Sequence, residues 1–490
     1  MGNKLEVLTI GGGPVAELMN ATLKGKTAGW SVFDDKLEQL RLHGTHLVNG
    51  PKVRQGLTPP FYERVILGDG MNFNPENPLS GGFNVYPTSY GGPLSPNIEL
   101  VDDPLIILAV KSPDNEKSLR QVAPLLARAE DPTILLAQNG FAPEVGITEW
   151  LTREGLDHVN VVRSVAMGPV TQKVDGNDKP YLDNNIFALK LGHWDAGEGH
   201  DELCRKVAGM FSYIPVEVPG DQFRKEGSEK ALVNLINPIT VLFANTIGQG
   251  LDSYLIRQFY KATAGEGIQC LLKQDVGIDP LHALDIAWLM YNSARPHMAS
   301  MGNDPMGQYL SGGKLPFPLG TEVGDLSGQV VEWGKEYGVN TFWNSFLLEM
   351  ISDFTDSYNE IKNQDPSKAV DFGMRFAHRN RWLVGFTEDE TYNLSQYGSQ
   401  LARLDRLFRE QFPQDRSSPQ SVYLCPHIVD ESTELSNLPS LLVASYRALK
   451  EEYSERGLLD DSNFELSQEV CTQADACRNL ERRACYDLRG

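Results

Sequence analysis

The chain has 490 residues and a formal net charge of −21 at pH 7, with 44 Lys and Arg against 65 Asp and Glu. General binding of nucleic acid or anionic membranes needs clustered Lys and Arg, so this charge excludes both as expected partners. No stretch approaches the roughly 20 apolar residues of a membrane span, and the N-terminus lacks the apolar core and cleavage site of a secretory signal. A cytoplasmic enzyme that acts on a small molecule is therefore expected.

The first third of the sequence alternates strand and helix patterns, which is typical of an α/β domain with a parallel sheet. Residues 43–100 are rich in Gly, Pro and Asn, and they predict an ordered surface excursion or lid rather than a simple loop. The predicted strands are residues 5–10, 30–33, 104–110, 132–137, 159–170 and 186–191, with a helix at 14–24.

From about residue 221 the pattern becomes helical, and from about residue 355 it is charged, helix-forming and less apolar. Three parts are therefore predicted: an α/β domain at 1–220, a helical domain at 221–354 and an acidic helical extension at 355–490. The predicted helices after residue 221 are 230–244, 254–272, 280–291 and 323–337.

The cysteines predict neither a disulfide framework nor a metal site. Six Cys in 490 residues are too few for a disulfide scaffold. Cys471, Cys477 and Cys485 are clustered, but their spacing fits no standard zinc site. Solvated thiols are the expected state.

A glycine-rich turn follows the first predicted strand, as Gly11-Gly12-Gly13-Pro14-Val15-Ala16. The pattern fits G-x-G-x-x-A, in which the first glycine makes a tight turn and the second lets the backbone approach a pyrophosphate. The N-terminus of the following helix offers free N–H groups and a partial positive charge to that anion. Residues 1–220 are thus predicted to be a Rossmann-like dinucleotide-binding domain, the alternative being a tight turn without a ligand.

Asp34 ends the second predicted strand, roughly 20 residues after Gly13. An acidic residue there binds the ribose hydroxyls of NAD and repels the 2′-phosphate of NADP. No Arg is present in VFDDK, and Lys36 is the nearby cation. The cofactor is therefore predicted to be NAD(H) or NADP(H), with NAD(H) slightly preferred; an ordinary turn residue is the alternative for Asp34.

An otherwise apolar predicted helix carries a narrow polar stripe. Lys230, Asn234 and Asn237 are spaced i, i+4 and i+7, and Asn245 joins them if the helix continues. A buried Lys is costly unless a polar group faces it, so an anionic or carbonyl substrate is the expected partner. An internal hydrogen-bonded network is the alternative. Pro238 has no N–H, so the carbonyl of Asn234 loses its helical donor.

These segments together resemble the ketopantoate reductase family over about residues 4–352. The resemblance implies a Rossmann domain followed by an all-α substrate domain, with the substrate bound between them. It also implies NAD(P)H-dependent reduction of a 2-oxo acid, and a homodimer. The matching segments are IGGGPVA at 10–16, AVKS at 109–112, AQNG at 137–140, EKALVNLINPIT at 229–240, HMASM at 297–301 and TEVGDLSG at 321–328.

The resemblance implies roles for individual residues. Lys230 matches the family's general acid, which protonates the ketone oxygen as hydride reaches the carbon. Glu322 matches a glutamate that positions the cofactor and the catalytic lysine. The predicted substrate contacts are Asn139, Asn234, Asn237, Asn245 and Ser300. The predicted cofactor contacts are Gly11, Gly12, Gly13, Pro14, Val15, Asp34, Lys111, Asn139 and Glu322.

Several features depart from the family, and two other functions stay open. Asp34 stands near the position of the family's usual Arg, and residues 43–100 and 355–490 have no counterpart in its compact members. One alternative is an opine-type dehydrogenase that joins an amino acid to a 2-oxo acid, for which His297 lacks an evident carboxylate partner. The other is a non-catalytic nucleotide-sensing protein, which has no need of Lys230 as a proton donor.

Overall fold

The computed structural model divides into two compact units, Met1–Lys230 and Ala231–Gly490. None of its described helices is long and apolar enough to cross a membrane. The predicted boundaries at residues 220 and 354 stay predictions. The structure describes residues 4–23, 28–32, 45–48, 61–63, 83–87, 98–168, 170–174, 180–184, 188–194, 200–212, 214–243, 253–279, 321–383, 438–461 and 463–473.

The described part of the first unit is an α/β structure. Its strands are β1 (Leu5–Ile10), β2 (Ala28–Val32), β3 (Thr45–Val48), β4 (Phe61–Glu63), β5 (Phe83–Pro87), β6 (Leu100–Leu108), β7 (Thr133–Leu136), β8 (Asn160–Met167), β9 (Val170–Val174), β10 (Pro180–Asn184), β11 (Ala188–Gly192) and β12 (Val216–Glu217). Its helices are α1 (Pro14–Thr22), α2 (Asn115–Leu126), α3 (Pro143–Arg153), α4 (His200–Ala208) and the greater part of α5 (Phe223–Asn234).

The larger sheet has the strand order β12-β11-β8-β7-β6-β1-β2-β5 in the described part of the chain. Its described neighbours pair in parallel apart from β8 and β11, which are antiparallel. The chain runs from β1 out to β2 and β5, and β6 then lies on the other side of β1. In parallel sheets such a reversal leaves a crevice at the carboxyl ends of the two strands, where ligands bind. The fold therefore places the ends of β1 and β6 at this switch point.

Helices cover both faces of this sheet, as parallel strands require. One core lies beneath α1 and α4 and contains Val7, and the other lies beneath α2 and α3 and contains Leu8. All six strands predicted from apolar runs are present, each within four residues of its predicted bounds. Helices cover both faces of this sheet, so its strands need apolar side chains on both faces, and continuous apolar runs provide them.

Part of the predicted excursion at residues 43–100 belongs to the sheets. β5 pairs in parallel with β2 at the edge of the main sheet. β3 and β4 join β9 and β10 in a second sheet of order β4-β3-β10-β9. The sequence does not predict β5, because FNVYP contains Asn and Pro, which are rare in strands. Ladder hydrogen bonds to β2 override that local preference.

The described part of the second unit is helical, which agrees with the predicted all-α domain and helical extension. The predicted helix at 280–291 lies outside the described residues. The helices are α6 (Ile236–Phe243), α7 (Tyr254–Lys273), α8 (Gln329–Tyr337), α9 (Phe342–Gln364), α10 (Pro366–Leu383) and α11 (Leu438–Glu455), with a π-helical turn at Gly324–Gly328.

The helices of the C-terminal extension share a core with α9. Phe354 of α9 stacks on Phe376 of α10, with ring centroids 4.1 Å apart. Phe372 of α10 meets Tyr453 of α11 edge-on at 5.0 Å. Aromatic pairs in these geometries contribute beyond their buried area. The extension is thus packed into the second unit rather than attached to its surface by a linker alone.

A partly buried charged cluster also connects α9 to α11. The Asp353 carboxylate accepts hydrogen bonds from the Lys450 ammonium at 3.0 Å and from the Tyr446 hydroxyl at 2.7 Å. Lys450 also donates to the carbonyl oxygen of Asn463 at 3.0 Å. The Lys450 side chain is only 5% exposed, so its charge depends on these acceptors for compensation.

Asp353→Asn should therefore destabilise the protein by about 1–3 kcal/mol, because it weakens the hydrogen bonds that satisfy the Lys450 ammonium and removes its counter-charge. Urea unfolding, followed by circular dichroism, measures the change. The matched control is Glu332→Gln, which removes the acid that faces the exposed Lys335 at 3.7 Å. That variant should lose less than about 1 kcal/mol. Equal unfolding midpoints for the two variants would contradict the assignment.

Candidate functional site

The glycine-rich turn connects the carboxyl end of β1 to α1, as the sequence predicts. Gly11 has a φ of +124°, and a Cβ on it would lie 2.2 Å from the carbonyl oxygen of Ala109. Only glycine fits, because the turn passes directly against the end of β6. The Trp30 indole N–H donates to the Gly11 carbonyl at 2.7 Å, which fixes the turn from β2, and Gly12 lies between this glycine and the cap residue Gly13.

The N-terminus of α1 has features of an anion site. Gly13 caps the helix, Pro14 is its first residue, and no side chain satisfies its first N–H groups. The first intrahelical bond runs from Glu17 N–H to the Gly13 carbonyl at 3.1 Å, so the N–H groups of Val15 and Ala16 have no acceptor within the helix. A Cβ on Gly13 would meet no described atom within 4 Å. These features fit a pyrophosphate group.

The AVKS and AQNG segments lie side by side after β6 and β7. The Gln138 side chain connects them, since its Nε2 donates to the Val110 carbonyl at 2.9 Å. Its Oε1 accepts from Asn115 Nδ2 at 3.1 Å. Lys111 and Asn139 therefore follow adjacent parallel strands at the same sheet edge as the glycine-rich turn.

Two hydroxyl groups at this edge have no predicted role. The Oγ atoms of Ser31, near the end of β2, and of Ser112, after β6, are buried and have no hydrogen-bond partner among the described residues. Buried polar groups are normally hydrogen-bonded, so these two hydroxyls, near the ends of the strands that flank β1, fit a site that takes a polar ligand. The sequence does not indicate a ligand site at these two serines, because serine is common at many positions without such a role.

The first turns of α5 attach that helix to the sheet. Phe223 packs over Gly192 of β11, where a Cβ would lie 2.2 Å from the ring. Glu226 forms an ion pair with Lys190 of β11 at 2.8 Å. Lys230 lies one turn after Glu226. These contacts fix the orientation of the helix that carries Lys230.

Lys230 is a partly buried ammonium group. Desolvation lowers the pKa of Lys230 to about 8. Within the described part of the chain, no hydrogen bond or ion pair offsets this loss of hydration. A group with such a pKa is suited to give up a proton near neutral pH.

The single helix predicted from Lys230 onward is wrong, because it is interrupted at Leu235, between α5 and α6. Pro238 explains the break, since it cannot supply an N–H to the Asn234 carbonyl. Asn234 lies one turn after Lys230 on α5, and Asn237 is the second residue of α6. Asn234 and Asn237 are both buried, with 8% and 7% of their surfaces exposed.

Glu322 precedes the π-helical turn and is 5% exposed. The turn occupies Gly324–Gly328 within the predicted TEVGDLSG segment. Such turns occur frequently at functional sites. The other predicted site residues, Asp34, Asn245 and Ser300, lie outside the described residues.

Residues 222–354 match the family model of the ketopantoate reductase PanE/ApbA C-terminal domain. A 2-dehydropantoate 2-reductase of Aquifex aeolicus (strain VF5) is 24% identical over 269 residues, which covers 50% of this chain and 75% of that protein. A solved ternary structure of D-mandelate dehydrogenase with NADH and anilino(oxo)acetate has a TM-score of 0.50. It is 18% identical and covers 72% of this chain and 99% of its own, so it shows a shared fold.

The sheet topology, the glycine-rich turn and the family match agree with the resemblance in the sequence. Residues 355–490 lie beyond the matched domain. The chain is similar to ketopantoate reductases: a Rossmann-type N-terminal sheet precedes residues 222–354, which match the C-terminal domain model of that family.

Proposed function

We propose that the protein is an NAD(P)H-dependent oxidoreductase that reduces the ketone of a 2-oxo acid or a related carbonyl compound. The observation that carries the proposal is the desolvated Lys230, with its pKa lowered to about 8, inside the segment that matches the family model. The Aquifex relative is a 2-dehydropantoate 2-reductase, and the D-mandelate dehydrogenase structure contains NADH. These relatives support a 2-oxo acid as the substrate class.

The cofactor is proposed to bind at the switch point of the sheet. The free N–H groups at the start of α1 would hold its pyrophosphate, and Lys111 and Asn139 follow the neighbouring strands. When bound, the nicotinamide supplies the hydride for the carbonyl carbon. The full proposed set is Gly11, Gly12, Gly13, Pro14, Val15, Asp34, Lys111, Asn139 and Glu322.

The proton is proposed to come from Lys230 Nζ. As negative charge develops on the ketone oxygen, the ammonium stabilises that charge and transfers its proton to the oxygen. Partial burial strengthens this interaction, because less water screens it. The side-chain amides of Asn234 and Asn237 would hold the substrate, with Asn139, Asn245 and Ser300 as further contacts. Glu322 would position the lysine.

The assay that tests the function follows loss of NADH or NADPH absorbance with a series of 2-oxo acids, each with and without an added amino acid. Turnover with a 2-oxo acid alone is expected. Turnover that requires the amine would favour the opine-type reaction instead. Tight cofactor binding without any turnover would favour the nucleotide-sensing alternative.

Lys230→Met should lower kcat by about 100-fold or more, because the proton donor is lost. The dissociation constant of the cofactor should stay within about twofold of wild type, since α1 and its turn are unchanged. Steady-state kinetics and fluorescence titration measure the two quantities. Lys225→Met on the same helix is the matched control and should keep wild-type kcat. A wild-type rate in the Lys230 variant would refute its role as the acid.

The pH dependence follows from the protonation state that reduction requires. The ammonium is the donor, so kcat/KM for ketone reduction should fall tenfold per unit as the pH rises above about 8. Lys230→Arg should remove this decline up to pH 10, whatever activity remains, because guanidinium stays charged. The same decline in both proteins would assign the titration to another group.

Gly13→Ala should weaken cofactor binding at least about tenfold, or 1.4 kcal/mol, because its methyl group would enter the space proposed for the pyrophosphate. The melting temperature should not fall, since φ is −78° and a Cβ meets no described atom within 4 Å. Gly146→Ala in α3 has equally open surroundings and is the control. Unchanged affinity in the Gly13 variant would place the pyrophosphate elsewhere.

Asp34→Arg should move the cofactor preference toward NADPH, because a cation replaces the acid proposed to bind the ribose hydroxyls. The ratio of kcat/KM for NADH and NADPH, measured with one 2-oxo acid, reports the change. Lys36→Met is the control for altered charge in the same segment. An unchanged ratio would count against the ribose contact.

A further inference from the structure

Arg163 of β8 is a fully buried charged residue that no sequence pattern singles out. It is 2% exposed, and its guanidinium lies 3.7 Å from the carboxylate of Glu144, which is 0% exposed. Desolvation lowers the pKa of Arg163, and the charge of Glu144 opposes that shift. A buried ion pair contributes little net stability by itself. The other contacts of the guanidinium therefore indicate the role of the Arg163–Glu144 pair.

The guanidinium holds the turn that follows β7. Its Nη1 donates to the carbonyl oxygen of Phe141, and its Nη2 donates to that of Gly140. Gly140 has a φ of +120°, a backbone conformation that L-residues avoid. Both carbonyl groups come directly after Asn139. Arg163 thus fixes the backbone that carries a proposed substrate and cofactor contact.

The same guanidinium also lies against α5. Its Cζ is 5.9 Å from the ring centroid of Phe223, the first residue of that helix. A Cβ on Gly227 would lie 3.6 Å from Nη1. Gly227 is three residues before Lys230, so Arg163 contacts the turn of α5 that directly precedes the proposed acid.

We propose that Arg163 is a positioning residue that sets the placement of the Asn139 turn relative to the part of α5 that leads to Lys230. The inference rests on the proposed function, in which Asn139 contacts the substrate and Lys230 protonates it. One planar guanidinium donates to two successive carbonyl groups and presents a flat face to a ring. A lysine at this position has one nitrogen and no such face.

The variants Arg163→Lys and Glu144→Gln separate positioning from stability. Arg163→Lys keeps the charge but not the paired carbonyl contacts, so kcat per NADH-binding site should fall about 10- to 100-fold. Its cofactor dissociation constant should rise less than kcat falls, because the proposed pyrophosphate contacts at the glycine-rich turn are unchanged while the Asn139 turn is displaced. Glu144→Gln leaves the carbonyl contacts, so it should lower the melting temperature but keep kcat within about threefold.

Hydrogen–deuterium exchange supplies a readout that needs no activity. In Arg163→Lys, amides in both segments 139–144 and 223–230 should exchange faster together, while segment 9–16 stays as in wild type. Arg120→Lys, at an exposed ion pair with Glu116, is the control and should change neither exchange nor kcat.

A wild-type kcat in Arg163→Lys would overturn the proposal. So would losses of kcat in Arg163→Lys and Glu144→Gln that are proportional to their losses of melting temperature. Faster exchange in only one of the segments 139–144 and 223–230 would also overturn it. An inactive wild-type protein would instead refute the proposed function. In that case the exchange data still decide whether Arg163 holds the two segments together.

Discussion

Holding an ammonium group partly out of water costs free energy, and the proposed chemistry depends on the packing around α5 that keeps Lys230 in this position. Desolvation brings the pKa of Lys230 to about 8. The preceding turns attach to β11 through Phe223 and Glu226 and to the β7 turn through Arg163. A rotation of α5 that returned Lys230 to water would break these contacts, so packing of the sheet offsets the cost of desolvation.

The proposed cofactor site depends on the close approach of two chain segments. Gly11 lies so near Ala109 that a single methyl group on it would clash with the Ala109 carbonyl. Within the second unit, the Asn380 side chain of α10 donates a hydrogen bond to the Leu242 carbonyl of α6 at 2.9 Å. The C-terminal extension therefore contacts the helix that carries Asn237, one of the proposed substrate contacts.

Local chemistry explains which features could be predicted from the sequence. The glycine-rich turn, the apolar strands and the loss of the Asn234 hydrogen-bond donor at Pro238 follow from backbone rules that act over a few residues. β5 and the contacts of Arg163 depend on partners distant in sequence, so no local pattern indicates them. Pro238 indicates a break in the helix near Leu235, but the apolar run around it favours one continuous helix, so the break is not predicted.

The proposed chemistry depends on Lys230 being a desolvated acid with a lowered pKa. Nitrogen-15 NMR of the lysine side chains, recorded from pH 6 to 11, measures that property without a substrate. One resonance should titrate near 8 and disappear in Lys230→Arg. If the resonance assigned to Lys230 instead titrates near 10.4, the usual value for lysine, the ammonium is fully hydrated and the account is contradicted.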